Sequence, residues 1–227
     1  QQAAALVVKN AVGAEGLAPA EREQVRGEIL QHMAGLVGGA GGPRDVALGA
    51  AACRAAGCGG AAACATLVRE AMALLGVGQP LLAILASLPD ECASAEQAGL
   101  AALNGELLKT VGAVLAGQGA DGQLPLVREA IRVLVSWLQG GGLTIDVLHD
   151  SGMMALLAPA LLAPPLFSAT AELFTGLCEG CGAASDAAAT QLITTLMAQM
   201  VSLEAAVAAA IAGANEESIQ FSLEIAN

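Results

Sequence analysis

Three places in this 227-residue chain combine residue types and spacings that could do chemistry. Cys178-Glu179-Gly180-Cys181 is a CxxC pair. Dithiol redox chemistry needs such a pair to open a helix, where the dipole stabilises the first thiolate. Here the pair falls at the expected C-terminal end of a helix, where the same dipole acts in the opposite sense. A zinc site would need a second pair or two nearby histidines, and the chain has only His32 and His149. These cysteines therefore read as packing residues, with a thiol-redox enzyme as the competing hypothesis. Gly117-Gln118-Gly119-Ala120-Asp121-Gly122 matches GxGxxG. That fingerprint binds a dinucleotide only between a strand and a helix, and it follows a helical segment here, so it reads as a helix–helix loop. His32 lies beside an apolar stripe and reads as a half-buried packing residue. His149 precedes a helix that Asp150 or Ser151 would cap. No phosphate-binding loop of the Walker type, GxSxG elbow or HExxH occurs. Catalytic, cofactor-binding and metal sites are thus all expected to be absent.

The elements that would position these residues are helical. Hydrophobic residues make up 56% of the chain, aromatic ones 2% and charged ones 13%, with no tyrosine and the single tryptophan Trp137. Alanine and leucine supply the apolar bulk and favour helix, whereas strands favour β-branched and aromatic residues. Apolar residues recur three and four apart in Val25, Ile29, Met33 and Leu36, and again in Leu103, Leu107, Val111 and Val114. Leu124, Val127, Ile131, Leu134 and Leu138 repeat the pattern, as do Leu192, Leu196, Met200, Leu203, Val207 and Ile211. Each set puts one apolar face on a helix. Trp137 closes one of these stripes and is expected to fill the space between neighbouring helix pairs, with an anchor point for a partner as the alternative. Pro19 with Glu21 and Glu23, Pro43 with Asp45, and Ser94, Asp121, Ser168 and Ser185 mark helix starts.

Glycine and proline clusters cut the chain into pairs of such segments. They give a single solenoid over 1–227 with approximate repeats 19–58, 61–91, 94–142, 150–183 and 185–227. Residues 1–12 read as the tail of a preceding repeat. Within the pairs the helices are expected at 19–37 and 44–56, 61–75 and 79–88, 94–116 and 123–139, 150–163 and 167–180, and 185–211 and 214–227. A period near 40 residues is that of HEAT and armadillo repeats. The expected fold is all-α: a right-handed α-α superhelix, a HEAT/armadillo-like solenoid of about five helical hairpins.

Net charge is −12, unevenly spread. All nine Lys and Arg lie at or before Arg132, among twelve acids; from Val133 onward there are nine acids and no base. Such a surface repels phosphate backbones and anionic lipid, which argues against direct nucleic-acid binding, and it attracts a basic partner. A high net charge also keeps an apolar chain dispersed. Mean hydropathy is +0.65. The best apolar stretch, Leu143 to Phe167, opens with Asp146, His149 and Asp150 and carries Pro159, Pro164 and Pro165, so no membrane insertion is expected. Six cysteines without framework spacing suit a reducing compartment.

Several stretches resemble importin-β-type karyopherins, most closely the transportin-SR and importin-thirteen group. The residues that carry the resemblance are Arg26 to Met33 (RGEILQHM), Leu81 to Glu91 (LLAILASLPDE), Val133 to Gln139 (VLVSWLQ) before Gly142-Leu143, Phe167 to Cys178, and Gln191 to Ile211. They are collinear and cover nearly the whole chain. Cys92 to Ala102 holds no arginine where the group carries several. The resemblance implies a nuclear transport receptor that imports basic, Ser/Arg-rich-type cargo, contacts nucleoporins, is controlled by Ran GTPase and shuttles between cytoplasm and nucleus. By position it implies Ran contacts at Asp45, Arg54, Asp90, Glu91, Arg128 and Arg132. A HEAT or armadillo scaffold for another complex, without Ran coupling, has the same sequence features.

Overall fold

The computed structural model describes residues 17–35, 43–57, 60–91, 97–117 and 123–213. Among these residues every regular element is helical. The α-helices are α1 (Pro19–Ala34), α2 (Pro43–Gly57), α3 (Ala61–Leu75), α4 (Gln79–Glu91), α5 (Gln97–Ala101) and α6 (Asn104–Ala116). They continue with α7 (Leu124–Gln139), α8 (Ile145–Asp150), α9 (Met153–Leu157), α10 (Pro164–Gly180) and α11 (Asp186–Gly213). Two 3-10 segments, Ala158–Leu162 and Cys181–Ala183, follow α9 and α10. The segments expected at 1–12 and 214–227 lie outside the described residues.

Packing runs in two successions. In one, α2 packs on α4, α4 on α7 and α7 on α10. In the other, α1 packs on α3, α3 on α5, α6 on α9, and α11 on α8 and the 158–162 segment. Sequence neighbours tie the successions together: α1 with α2, α3 with α2 and α4, α6 with α7, and 158–162 with α10. Each helix thus buries its apolar face against neighbours in the chain and against the next pair. One continuous apolar cluster extends from Ile29 in α1 to Leu192 in α11.

The seam between α4 and α7 is fixed by specific polar contacts. Pro89 lies inside α4 and has no N–H to donate to the carbonyl of Leu85, four residues back. Trp137 fills that vacancy: its indole Nε1–H donates to Leu85 O at 2.7 Å, and the side chain is wholly buried. Ser136 Oγ donates to the next carbonyl, Ala86 O, at 2.6 Å. Beyond Trp137 the helix closes through two reciprocal bonds. Gly142 N–H donates to Trp137 O at 3.0 Å and Gly141 N–H to Leu138 O at 3.1 Å, with Gly141 in the left-handed region at φ 73°. This is the glycine-dependent Schellman closure. Gly140 makes the approach possible, since a Cβ there would stand 2.5 Å from Pro89 Cβ.

Several boundaries differ from the sequence expectation. The helix expected to end at 88 runs on to Glu91 because Trp137 and Ser136 donate to the carbonyls at its proline turn. The expected 94–116 helix is broken at Ala102-Leu103, ahead of Asn104 and Gly105, two weak helix formers. The segment expected at 150–163 is instead α8, a Ser151-Gly152 turn with Gly152 at φ 70°, α9 and a 3-10 segment. Thr144, not Asp150 or Ser151, supplies a side-chain cap, accepting from Val147 N–H at 3.4 Å, while Ser151 Oγ donates back to Leu148 O at 3.0 Å. Pro164 and Pro165 open α10, where a missing N–H costs nothing, so Ser168 is an interior residue and not its cap. Ser185 does cap α11, accepting from Ala188 N–H at 3.4 Å.

Burial also departs from the expected stripes at both ends. In α1 the covered face is Arg26, Ile29, Leu30 and Met33, which leaves His32 exposed and not half-buried. Among the described side chains of α11, Ala188 and Leu192 are fully buried and Leu196 is partly so. Met200, expected on the inner stripe, is 62% exposed.

Candidate functional site

The residues singled out for partner contact are all on the α2–α4–α7 succession. Asp45 lies in the first turn of α2, and its side chain is outside the described residues. Arg54, near the end of α2, reaches Glu91 at the end of α4 with Nε to Oε2 at 2.8 Å. The Glu91 side chain is only 7% exposed, so this pair braces two neighbouring helices. Asp90, beside it, is exposed. Arg128 and Arg132 lie one turn apart on an exposed edge of α7, and Arg132 Nη1 pairs with Glu129 Oε1 at 2.8 Å within the same helix. The structure brings Arg54 and Glu91 together and leaves Arg128 and Arg132 on a separate helix. A second brace was not legible in the sequence. Buried Arg26 of α1 makes a two-pronged contact with Glu70 of α3, Nε to Oε2 at 3.1 Å and Nη2 to Oε1 at 3.3 Å.

The other chemistry-bearing residues are dispersed. Cys178 ends up exposed near the C-terminal end of α10, not packed inside. Partial burial of its thiol, and to a lesser degree the neighbouring Cys181, push its pKa up, away from what a nucleophilic thiolate requires. Gly117 closes α6, consistent with a helix–helix loop, while 118–122 lie outside the described residues. His149 in α8 hydrogen-bonds through Nδ1 with Gln191 Oε1 in α11. Among the described residues no three His, Cys, Asp or Glu gather as a metal site would need, and no helix is long and apolar enough to cross a membrane.

A groove of about 580 Å³ opens on the other side of α7 from the tryptophan seam. Leu138, Leu143 and Ile145 give it apolar walls, from the end of α7 and the start of α8. Glu172, Thr175, Gly176, Glu179 and Gly180 of α10 recur three and four apart, so one face of α10 forms the opposite wall. Gly176 holds the floor tight, since a Cβ there would come 2.9 Å from Leu138 Cδ2. Three carboxylates, Asp146, Glu172 and Glu179, line the groove together with no basic residue. Asp146 Oδ1 accepts the Ser185 N–H at 3.1 Å. Hydrogen bonds from Ser185, the hydroxyl first and then the backbone, hold the Asp146 carboxyl below its ordinary pKa, so it is charged at neutral pH. Glu172 and Glu179 are exposed. No family model, curated protein or solved structure matches the chain. What the groove can do follows from its lining: it can hold an apolar stem while presenting negative charge to a cationic head, and it holds no nucleophile paired with a base. The sequence signal for it was the absence of Lys and Arg after Arg132, together with the seven-residue spacing of Glu172 and Glu179 on one helix.

Proposed function

We propose that the chain is part of a nuclear transport receptor of the karyopherin-β type, a non-enzymatic carrier of basic, Ser/Arg-rich-type protein cargo under the control of Ran in its GTP form. In this reading the helix pairs stack as a right-handed α-α superhelix of about five hairpins. The carrier contacts nucleoporins and shuttles between cytoplasm and nucleus. The observation that supports it best is the succession of packing partners, α2 on α4 on α7 on α10, because such stacking leaves long continuous helix faces for a protein partner. The resemblance of 26–33, 81–91, 133–139, 167–178 and 191–211 to the transportin-SR and importin-thirteen group supports the family. The lack of base after Arg132 supports a basic partner.

The test is capture of the full-length protein on immobilised Ran locked in the GTP form, with the GDP form as comparator. GTP-dependent binding at micromolar protein is the expected result, weakened by Arg128→Glu with Arg132→Glu. Equal or absent binding to both forms removes Ran control and leaves a helical scaffold for another complex. The Arg54–Glu91 brace bears on that second reading, since it commits two of the six proposed contact residues to holding α2 against α4.

A further inference from the structure

We infer that the groove between α7 and α10 is a docking site for an arginine- or lysine-bearing segment of a partner protein. The inference deepens the basic-cargo half of the proposed function by giving it a place in the fold, and it needs no Ran.

Shape, lining and field point to the same occupant. At about 580 Å³ the groove is within the range of sites that enclose several side chains. Its walls are mixed in a particular way: Leu138, Leu143 and Ile145 are apolar and converge on Gly176, whereas Asp146, Glu172 and Glu179 supply charge of one sign. A purely apolar occupant would desolvate these carboxylates without a partner, which is costly. An acidic one, or a phosphate backbone, would be repelled. Arginine and lysine suit both parts, since their methylene stems can lie on the leucine and isoleucine walls while the charged head meets a carboxylate. Glu172 and Glu179 are exposed, and neither pairs with a basic residue among the described residues. Asp146, whose Oδ1 accepts the Ser185 N–H, adds its charge to the same lining. The long-range field agrees, because the 95 residues that follow Arg132 carry nine acids and no base. Such a field draws a cationic segment toward this half of the molecule before any contact forms.

The experiment uses the full 227-residue chain and a fluorescein-labelled dodecapeptide of arginine, serine and leucine. Its comparator replaces each arginine by citrulline, which keeps the shape and removes the charge. The arginine peptide is expected to bind and the citrulline peptide not to. The pair Glu172→Gln with Glu179→Gln is expected to weaken binding roughly tenfold, two partly exposed charge contacts being lost. The pair Glu23→Gln with Glu204→Gln removes the same net charge from exposed positions outside the groove and should change binding less than about twofold. Unchanged circular dichroism and thermal midpoint establish that each variant is folded. Equal weakening in both pairs, or none in the groove pair, overturns the site. Displacement of the peptide by an equal concentration of spermine overturns the peptide assignment in favour of a small polycation. Loss of Ran binding with this result intact would remove the transport reading and keep the groove, and the converse result would do the opposite.

Discussion

The two sides of α7 are built on different terms. Toward α4, Trp137 is wholly buried, its N–H is consumed by Leu85 O, Ser136 is consumed by Ala86 O, and Gly140 admits Pro89 to within van der Waals contact. Toward α10, α7 packs closely, with Gly176 held against Leu138, and beside this contact lies a groove lined by Asp146, Glu172 and Glu179. On one side polar atoms are spent inside the protein and fix how the helices sit. On the other, Glu172 and Glu179 are left toward solvent, where they are available to something else. The polar contacts that fix helix register therefore lie on the α4 side, and the carboxylates open to a partner lie on the α10 side.

The largest expected effect is on the tight side. Trp137→Ala removes a fully buried indole and orphans Leu85 O, and should cost about 3–5 kcal/mol in urea unfolding followed by circular dichroism. Because Trp137 is the only tryptophan, its fluorescence reports on this seam alone, and a solvent-like emission maximum in the native protein would contradict the burial described. Gly140→Ala comes next. The added methyl meets Pro89 Cβ, and the overpacking should cost about 1–3 kcal/mol. A neutral result would show that α4 and α7 can separate slightly without loss.

The smallest effect belongs to the groove side and depends on acid. Asp146 has its pKa lowered in the folded protein, so its contribution is present above the ordinary aspartate value of 3.8 and is lost as pH falls through the lower folded value. Amide exchange at Ser185 to Ala189, corrected for intrinsic rate, should accelerate below about pH 3.8 in the wild type. It should lose that dependence in Asp146→Ala. Identical profiles would mean that Asp146 does not hold the start of α11.

Much of the helical framework was legible because its periodicity is strong. Leu103, Leu107, Val111 and Val114 are all buried, and Trp137 sits between neighbouring pairs. What the sequence could not convey depends on partners distant along the chain. Pro89 reads locally as a helix end, and what keeps it inside α4 is donation to Leu85 O and Ala86 O by Trp137 and Ser136, 52 and 50 residues further along the chain. His32 sits beside an apolar stripe in sequence, yet the neighbour α3 covers the Arg26 side, where Glu70 compensates a buried guanidinium. The groove was visible only as a shortage of base after Arg132 and as the seven-residue spacing of Glu172 and Glu179. Which face of α10 its carboxylates occupy depends on where Gly176 lets α7 approach.

The proline in α4 acts as a register key. In a continuous helical ladder the carbonyl of Leu85 would already hold the amide four residues on, and the register of the two helices would rest on side-chain packing. The gap left by Pro89 creates one acceptor at one height, and the indole of Trp137 fits it only when the two helices are in step. Replacing Pro89 with alanine would restore a competing amide for Leu85 O, so that a substitution favourable to the isolated helix would loosen the alignment of the pair. Residues 89 and 137 should therefore tolerate change together more readily than apart.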